Sequence, residues 1–214
     1  MALDFGQFSL LSNAEYVSLL IFALCFVITT VTSSRTFKRG HTARAIRSEY
    51  RRSWTGLMVK GGDPKVPVDV FRNNLMISTA LLSGLVIAFG LVANAFISAP
   101  SFQFSLHMIL VIAMMTYALF YILIEIRTLA YLPIMFGVDG KLIDKNEGMG
   151  KEECISRLLD NTYDDFSNAI RALFYLVALL TFSLNAYLFI AATLVLTYLF
   201  VRRDISAKSR IEIF

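Results

Sequence analysis

Residues 73–124 read NNLMISTALLSGLVIAFGLVANAFISAPSFQFSLHMILVIAMMTYALFYILI, 52 positions without an Asp, Glu, Lys or Arg. A spanning helix needs about 20 apolar residues, and one helix of this length would run about 78 Å, more than twice the hydrocarbon thickness of a bilayer. The run must fold back on itself. Ser98-Ala99-Pro100-Ser101 supplies the break, because proline has no N–H for the helical ladder and its ring clashes with the preceding turn. The sequence therefore predicts a helix over 67–97 and another over 103–127.

Two further charge-free runs flank this one, Tyr16–Ser34 and Ala172–Val201. The first is one span long. The second, 30 residues, makes either one tilted helix of about 45 Å or two short passes turning near Ser183-Leu184-Asn185. The whole 214-residue chain is 57% apolar and 17% charged, with a mean hydropathy of +0.63. Soluble domains hold roughly 45–50% apolar and about 25% charged residues. A disordered chain, a disulfide scaffold and an ordinary soluble enzyme are excluded. The expected fold is all-α, a helical transmembrane bundle forming a single domain over 1–214.

Charge placement decides between five spans and four. Lys and Arg gather on the cytoplasmic side in the loops that flank spans. Residues 1–34 and the Pro100 turn hold none, whereas Arg35–Arg72 holds ten, Arg127–Arg171 six and Arg202–Phe214 four. With five spans, at about 15–34, 67–97, 103–127, 165–183 and 187–201, and the N-terminus outside, all 20 basic residues lie inside. With four, Arg202, Arg203, Lys208 and Arg210 lie outside. The reading is five spans in the cell membrane, N-terminus outside and C-terminus cytoplasmic. No signal peptide is expected, since the first apolar run lacks a basic n-region and ends in a basic stop. Cys25 falls in the first span and Cys154 in a cytoplasmic segment, so two reduced thiols are expected.

Two cytoplasmic segments carry amphipathic helices. Over Thr42–Val59, Ile46, Tyr50, Trp54 and Leu57/Met58 recur at helical spacing beside Arg44, Arg47, Arg51 and Arg52. A basic helix with aromatic residues on its apolar side suits the membrane interface. Arg44, Arg47, Arg51, Arg52 and Trp54 are the candidate lipid-headgroup contacts; the competing reading packs this helix on the protein's own spans. Nucleic acid is not an expected partner, because the apolar face competes for the same helix. Gly61-Gly62-Asp63-Pro64 reads as a turn without the G-K-[ST] ending of a phosphate loop. From Lys151, a face of Ile155, Leu159, Thr162, Phe166 and Ile170 predicts a helix that runs into the fourth span.

Catalytic chemistry finds little to work with. His41 and His107 should lie on opposite sides of the bilayer and cannot share a metal or a haem. Asp139-Gly140-Lys141 resembles the middle of a calcium loop, but Met135 and Gly137 occupy its ligand positions and Glu147 falls one place late. Asp164-Asp165 has no third ligand nearby and reads as a solvated face. No catalytic residue, metal or cofactor is expected, and the chain is not read as an enzyme.

Two features within the spans stand out. Ala80, Gly84 and Ala88 recur every fourth residue, a candidate packing seam in which small residues let backbones approach. It serves either a homo-oligomer around a pore or a contact inside one chain. Glu125 is the only acid between Asp69 and Asp139. If the hairpin turns at Pro100, Arg72 lies about one turn below it, which predicts an Arg72–Glu125 ion pair.

The stretch Arg72-Asn73-Asn74-Leu75-Met76-Ile77-Ser78-Thr79 resembles a multipass membrane family known as domain of unknown function 599. Arg51, Arg52 and Trp54 before it are similar too, as are Arg127 in Ile-Glu-Ile-Arg-Thr-Leu and the ending from Ala172-Leu-Phe-Tyr-Leu to Tyr198-Leu-Phe-Val-Arg-Arg-Asp. That family often carries Pro or Gly at its last turn, where Leu184-Asn185-Ala186 stands here. The resemblance covers the chain from about Arg44 onward. It implies a helical multipass protein and five spans, and brings no substrate or cofactor. The expected function is a non-catalytic scaffold or accessory subunit of a membrane complex, with membrane lipid and other subunits or its own copies as partners. The alternative is a homo-oligomeric pore or carrier for a small ion or solute.

Overall fold

The computed structural model describes residues 13–36, 42–61, 65–98, 106–182 and 184–205. Among these residues the chain is all-helical, without a strand. In chain order the helices are α1 (Asn13–Thr36), α2 (Ala43–Gly61), α3 (Lys65–Ser98), α4 (Leu106–Gly137), α5 (Gly140–Glu147), α6 (Lys151–Phe182) and α7 (Ala186–Ile205). Helix α6 is central. It packs on α4 and α7, α4 carries α3 on its other side, and α7 carries α1. Helix α2 lies across α6 and α7 at one end, with α5 against α6.

Among the described residues, four helices have the length and apolarity to cross a membrane, over Ala14–Ser33, Lys65–Asn94, His107–Gly137 and Lys151–Phe182. The last apolar run breaks in two. Leu184 and Asn185 donate backbone bonds to Thr181, and the Asn185 side chain accepts from Tyr187 N at 2.7 Å, capping α7 as asparagine commonly does at a helix start. The two helices run antiparallel, since Tyr175 meets Thr197 at 2.8 Å and Arg171 meets Asp204. The segments Ser98–Ser101 and Gly62–Pro64, along with His41, Lys208 and Arg210, lie wholly or largely outside the described residues.

Two cores form along α4 and α6. The larger joins Phe22 and Cys25 of α1, Leu85 of α3, Met115, Ala118 and Ile122 of α4, Ala172 and Tyr175 of α6, and Phe189 of α7. Tyr175 is its hub. Phe22 and Phe26 meet its ring edge-on at 5.6 and 5.4 Å, a geometry that adds to plain burial. Near the turn between α6 and α7, His107 bonds the Leu179 carbonyl through Nε2 at 2.8 Å.

The second core joins Phe71, Leu129, Leu132, Phe136, Ile143, Ile155 and Leu159, with Trp54 and Met58 against it. It explains a difference from the sequence reading. Helix α4 does not stop near Arg127 but continues to Gly137 through Pro133, because Leu129, Leu132 and Phe136 extend its apolar face. Lys151 Nζ then bonds the carbonyls of Phe136 and Val138 at 2.8 and 2.9 Å, placing a cation at the negative end of the helix dipole. Cys25 and Cys154 are both buried, one in each core.

Candidate functional site

The charged residues of α1, α2, α6 and α7 converge in one layer at the end of the bundle where α2 lies. The sequence prepares it by helical spacing. Arg44, Ser48 and Arg51 occupy one face of α2, and Asp160, Asp164, Asn168 and Arg171 one face of α6. Set antiparallel, these faces match. Arg44 pairs with Asp164. Arg51 meets Asp160 at 2.6 Å through Nη2 and donates from Nε at 2.6 Å, and Ser48 Oγ donates to the same carboxylate at 2.5 Å. Further along, Gly56 approaches the Glu152 side chain.

Arg171 holds the deepest part of the layer. It donates to Ser33 Oγ at 2.6 Å, Asn168 Oδ1 at 3.2 Å and Asp204 Oδ2 at 2.8 Å. Arg44 also donates to the Ser33 carbonyl and hydroxyl. Two guanidinium groups thus meet the last turn of α1, the end where a helix dipole favours cations. Beside them a small cleft, with an enclosed volume of about 40 Å³, opens between α2, α6 and α7, lined by Arg47, Arg171, Arg203, Asp204, Ser167 and Phe200. Arg47 is exposed as a residue, yet partial desolvation and then the repulsion of Arg203 lower its pKa from the ordinary arginine value, with Asp204 opposing.

The structure corrects three sequence expectations. Arg44 and Arg51 are not free to meet headgroups, because α6 supplies a carboxylate to each; Trp54 is half-buried and packs edge-on against Phe71 at 6.1 Å. Arg47 and Arg52 remain exposed, as do Tyr50 and Leu57 on the outer face of α2. Second, Glu125 does not pair with Arg72. Ser78 Oγ donates to Glu125 Oε1 at 2.7 Å, while Arg72 is exposed and meets Asp69 at 3.2 Å. Phe71, Ser78 and Leu85, buried at seven-residue spacing, form the stripe of α3 that faces α4, and Arg72 is turned about 100° from it. Third, Ala80 and Gly84 form no intrachain seam. Both are exposed and a Cβ on Gly84 would meet nothing within 4 Å; only Ala88 touches the core.

Several residues of this layer were not singled out from the sequence as site residues: Ser33, Asp160, Arg171, Arg203 and Asp204. The legible signal was the helical spacing of opposite charges on two segments, seven residues from Arg44 to Arg51 and four from Asp160 to Asp164. Among the described residues no group of three His, Cys, Asp or Glu side chains is arranged to hold a metal ion. Asp139 serves as the N-cap of α5, accepting from Lys141 N at 3.1 Å.

Long apolar helices around two cores, closed at one end by a layer of arginine–aspartate pairs, define a helical membrane protein. Residues 17–209 match the family described as protein of unknown function, DUF599. The chain belongs to that family. No curated protein and no solved structure matches it.

Proposed function

We propose that this protein is a non-catalytic subunit or scaffold of a larger membrane assembly, crossing the cell membrane five times with its N-terminus outside and its C-terminus in the cytoplasm. The observation that carries the reading is the environment of α3. This helix packs chiefly on α4 among the spans and leaves Met76, Ile77, Val86, Ile87 and Leu91 exposed around the Ala80/Gly84 stripe. Inside lipid, apolar bulk does not drive helix association, whereas small residues that admit a second backbone do. A neighbouring membrane helix, from another subunit or a second copy, fits this face.

The orientation is supported by the convergence of Ser33, Arg44, Arg171 and Arg203 at one end, since basic residues favour the cytoplasmic side. The fifth crossing is assigned to α7, whose charge-free part runs to Val201 before Arg202 and Arg203. Tyr50, Leu57 and Arg52 on the outer face of α2 suit the headgroup layer.

A second reading, a pore or carrier for a small ion, is favoured by one observation. Glu125 is 4% exposed and its Oε2 has no hydrogen-bond partner among the described residues, and ionisable groups at membrane depth commonly mark transport paths. Purification in mild detergent separates the two. A stable complex with other subunits supports the scaffold, whereas a pure homo-oligomer that passes ions in liposomes supports the pore. Reporter tags at both termini test the topology, and a C-terminal tag that reports the outside overturns five spans.

A further inference from the structure

The arginines at the cytoplasmic end divide into two groups. Arg44, Arg51 and Arg171 each meet an aspartate. Arg47 and Arg203 make no ion pair among the described residues, although both line the cleft between α2, α6 and α7. The one carboxylate in that cleft, Asp204, lies 2.8 Å from Arg171 and is committed to it. Three guanidinium groups therefore share one carboxylate, and two of them, Arg47 and Arg203, line the same cleft without an ion pair among the described residues. Like charges held together disfavour the fold unless an anion comes between them. The aspartates opposite Arg44 and Arg51 show how the chain neutralises such cations, and among the described residues no carboxylate besides Asp204 lines this cleft.

The lining indicates the chemistry of the missing anion. Guanidinium forks match the oxygens of phosphate geometrically, and two of them from different helices clamp one tetrahedral group. Ser167 adds a hydroxyl donor. Phe200 and Ile170 make the apolar part of the wall. Arg203 stands two residues beyond the charge-free run of α7. That is the depth of a headgroup under the proposed topology, with apolar side chains toward the acyl region.

We infer that the cleft between α2, α6 and α7 binds a phosphate group through Arg47 and Arg203, with Ser167 as an additional donor. A phospholipid headgroup and free inorganic phosphate both offer this chemistry. The lipid source rests on the membrane topology proposed above; the phosphate site does not.

The test uses the full chain in mild detergent, probed with inorganic phosphate, with micelles doped with phosphatidylglycerol or phosphatidic acid, and with phosphatidylcholine, all at matched ionic strength. Wild type, the double variant Arg47→Gln/Arg203→Gln, and the control Arg157→Gln, at an exposed arginine of α6 paired only with Glu153, are compared by thermal shift and by lipid retention in native mass spectrometry. Neither Arg47 nor Arg203 holds another described element by an ion pair, so without ligand the double variant should unfold at the same temperature as wild type or higher. The acidic lipids should stabilise wild type and Arg157→Gln, and apparent affinity should fall about tenfold or more in the double variant, the loss expected from removing charge-assisted bonds. Stabilisation by inorganic phosphate that the same variant abolishes supports the site and assigns it to the free anion. If neither probe stabilises wild type, or if the double variant responds to both acidic lipid and inorganic phosphate as wild type does, the phosphate site is refuted. Failure of the lipid arm alone, with phosphate binding intact, counts against the lipid source only.

Discussion

Removing Asp204 should damage this protein more than removing the arginine it holds. The Arg171–Asp204 pair is 2.8 Å long and its side chains are 7% and 12% exposed, so solvent screens it little. Breaking a buried pair from one side costs about 3–5 kcal/mol, because the surviving charge stays desolvated. In Asp204→Ala, Arg171 keeps two neutral acceptors, Ser33 Oγ and Asn168 Oδ1, which holds the loss near the lower bound, about 3 kcal/mol. For a chain of this size that is a fall of about 6–12 °C in Tm. Arg171→Met should cost less, since Asp204 still faces Arg47 and Arg203 in the same cleft. The double variant Arg171→Met/Asp204→Leu replaces the pair by apolar volume and should recover most of the loss. Thermal unfolding in mild detergent, repeated as a denaturant titration, measures all three. A loss below about 1 kcal/mol in Asp204→Ala, or a double variant whose loss equals the sum of the singles, would refute the view that α6 and α7 are locked by this pair.

Glu125→Gln keeps the shape and the acceptor for Ser78, so its stability should stay within about 1 kcal/mol of wild type, whereas Glu125→Arg places an unpartnered charge among apolar side chains and should cost about 2.5–3.5 kcal/mol. Adding Arg72→Glu to that variant should rescue nothing, because the two side chains lie on different faces of the hairpin; recovery in the double swap, read by the same unfolding assay, would overturn this. Gly56→Ala brings its Cβ within 2.6 Å of Glu152 Oε1, but that atom ends a flexible side chain and helix propensity favours alanine by about 1 kcal/mol, so the net change should be small and of either sign. A loss above about 2 kcal/mol would mean that α2 and α6 cannot separate even slightly at this crossing. Gly84→Cys should be trapped in native membranes, by oxidation to the same cysteine of a second copy or, through an attached photo-crosslinker, to a neighbouring membrane protein, with buried Cys25 and Cys154 silent; no adduct by either route at Gly84 or at Ala80→Cys counts against the α3 docking face.

The long apolar helices were legible because their signal is composition over long windows, and composition does not depend on tertiary partners. The break between α6 and α7 was left open by length and composition and favoured only by the placement of the basic residues, because Asn185 does by side-chain capping what a more legible proline or glycine would do by backbone conformation. Partners were less legible. The depth argument brought Glu125 level with the right part of α3, yet it named Arg72 where the structure has Ser78, because depth fixes the height of a residue and not its rotation. Rotation was encoded in Phe71, Ser78 and Leu85, a seven-residue stripe in which the serine is the only polar member. The same stripe turned Ala80 and Gly84 away from α4. On α2 the charges and the aromatic residues were both visible, but the carboxylates that hold Arg44 and Arg51 lie more than a hundred residues away, and local pattern cannot announce them.

The pairing of those distant charges also accounts for how α1 is held. Its sequence has no strong apolar face, and a helix that is apolar all round is not oriented in lipid by the hydrophobic effect. Its orientation must come from specific contacts, and these sit at two levels. Phe22 and Phe26 meet Tyr175 in the core, which fixes one face. One helix end, at Ser33, receives Arg44 from α2 and Arg171 from α6, which fixes its height. Those arginines are in turn held by Asp164 and Asp204, so one polar layer ties α1, α2, α6 and α7 together. Within such a layer a surplus cation is conspicuous, because every neighbour that contributes to the fold has its counter-charge. Arg47 and Arg203 add nothing to the locking of the helices, and their convergence on one cleft is the reason to look for an anion there rather than along the whole basic face of α2.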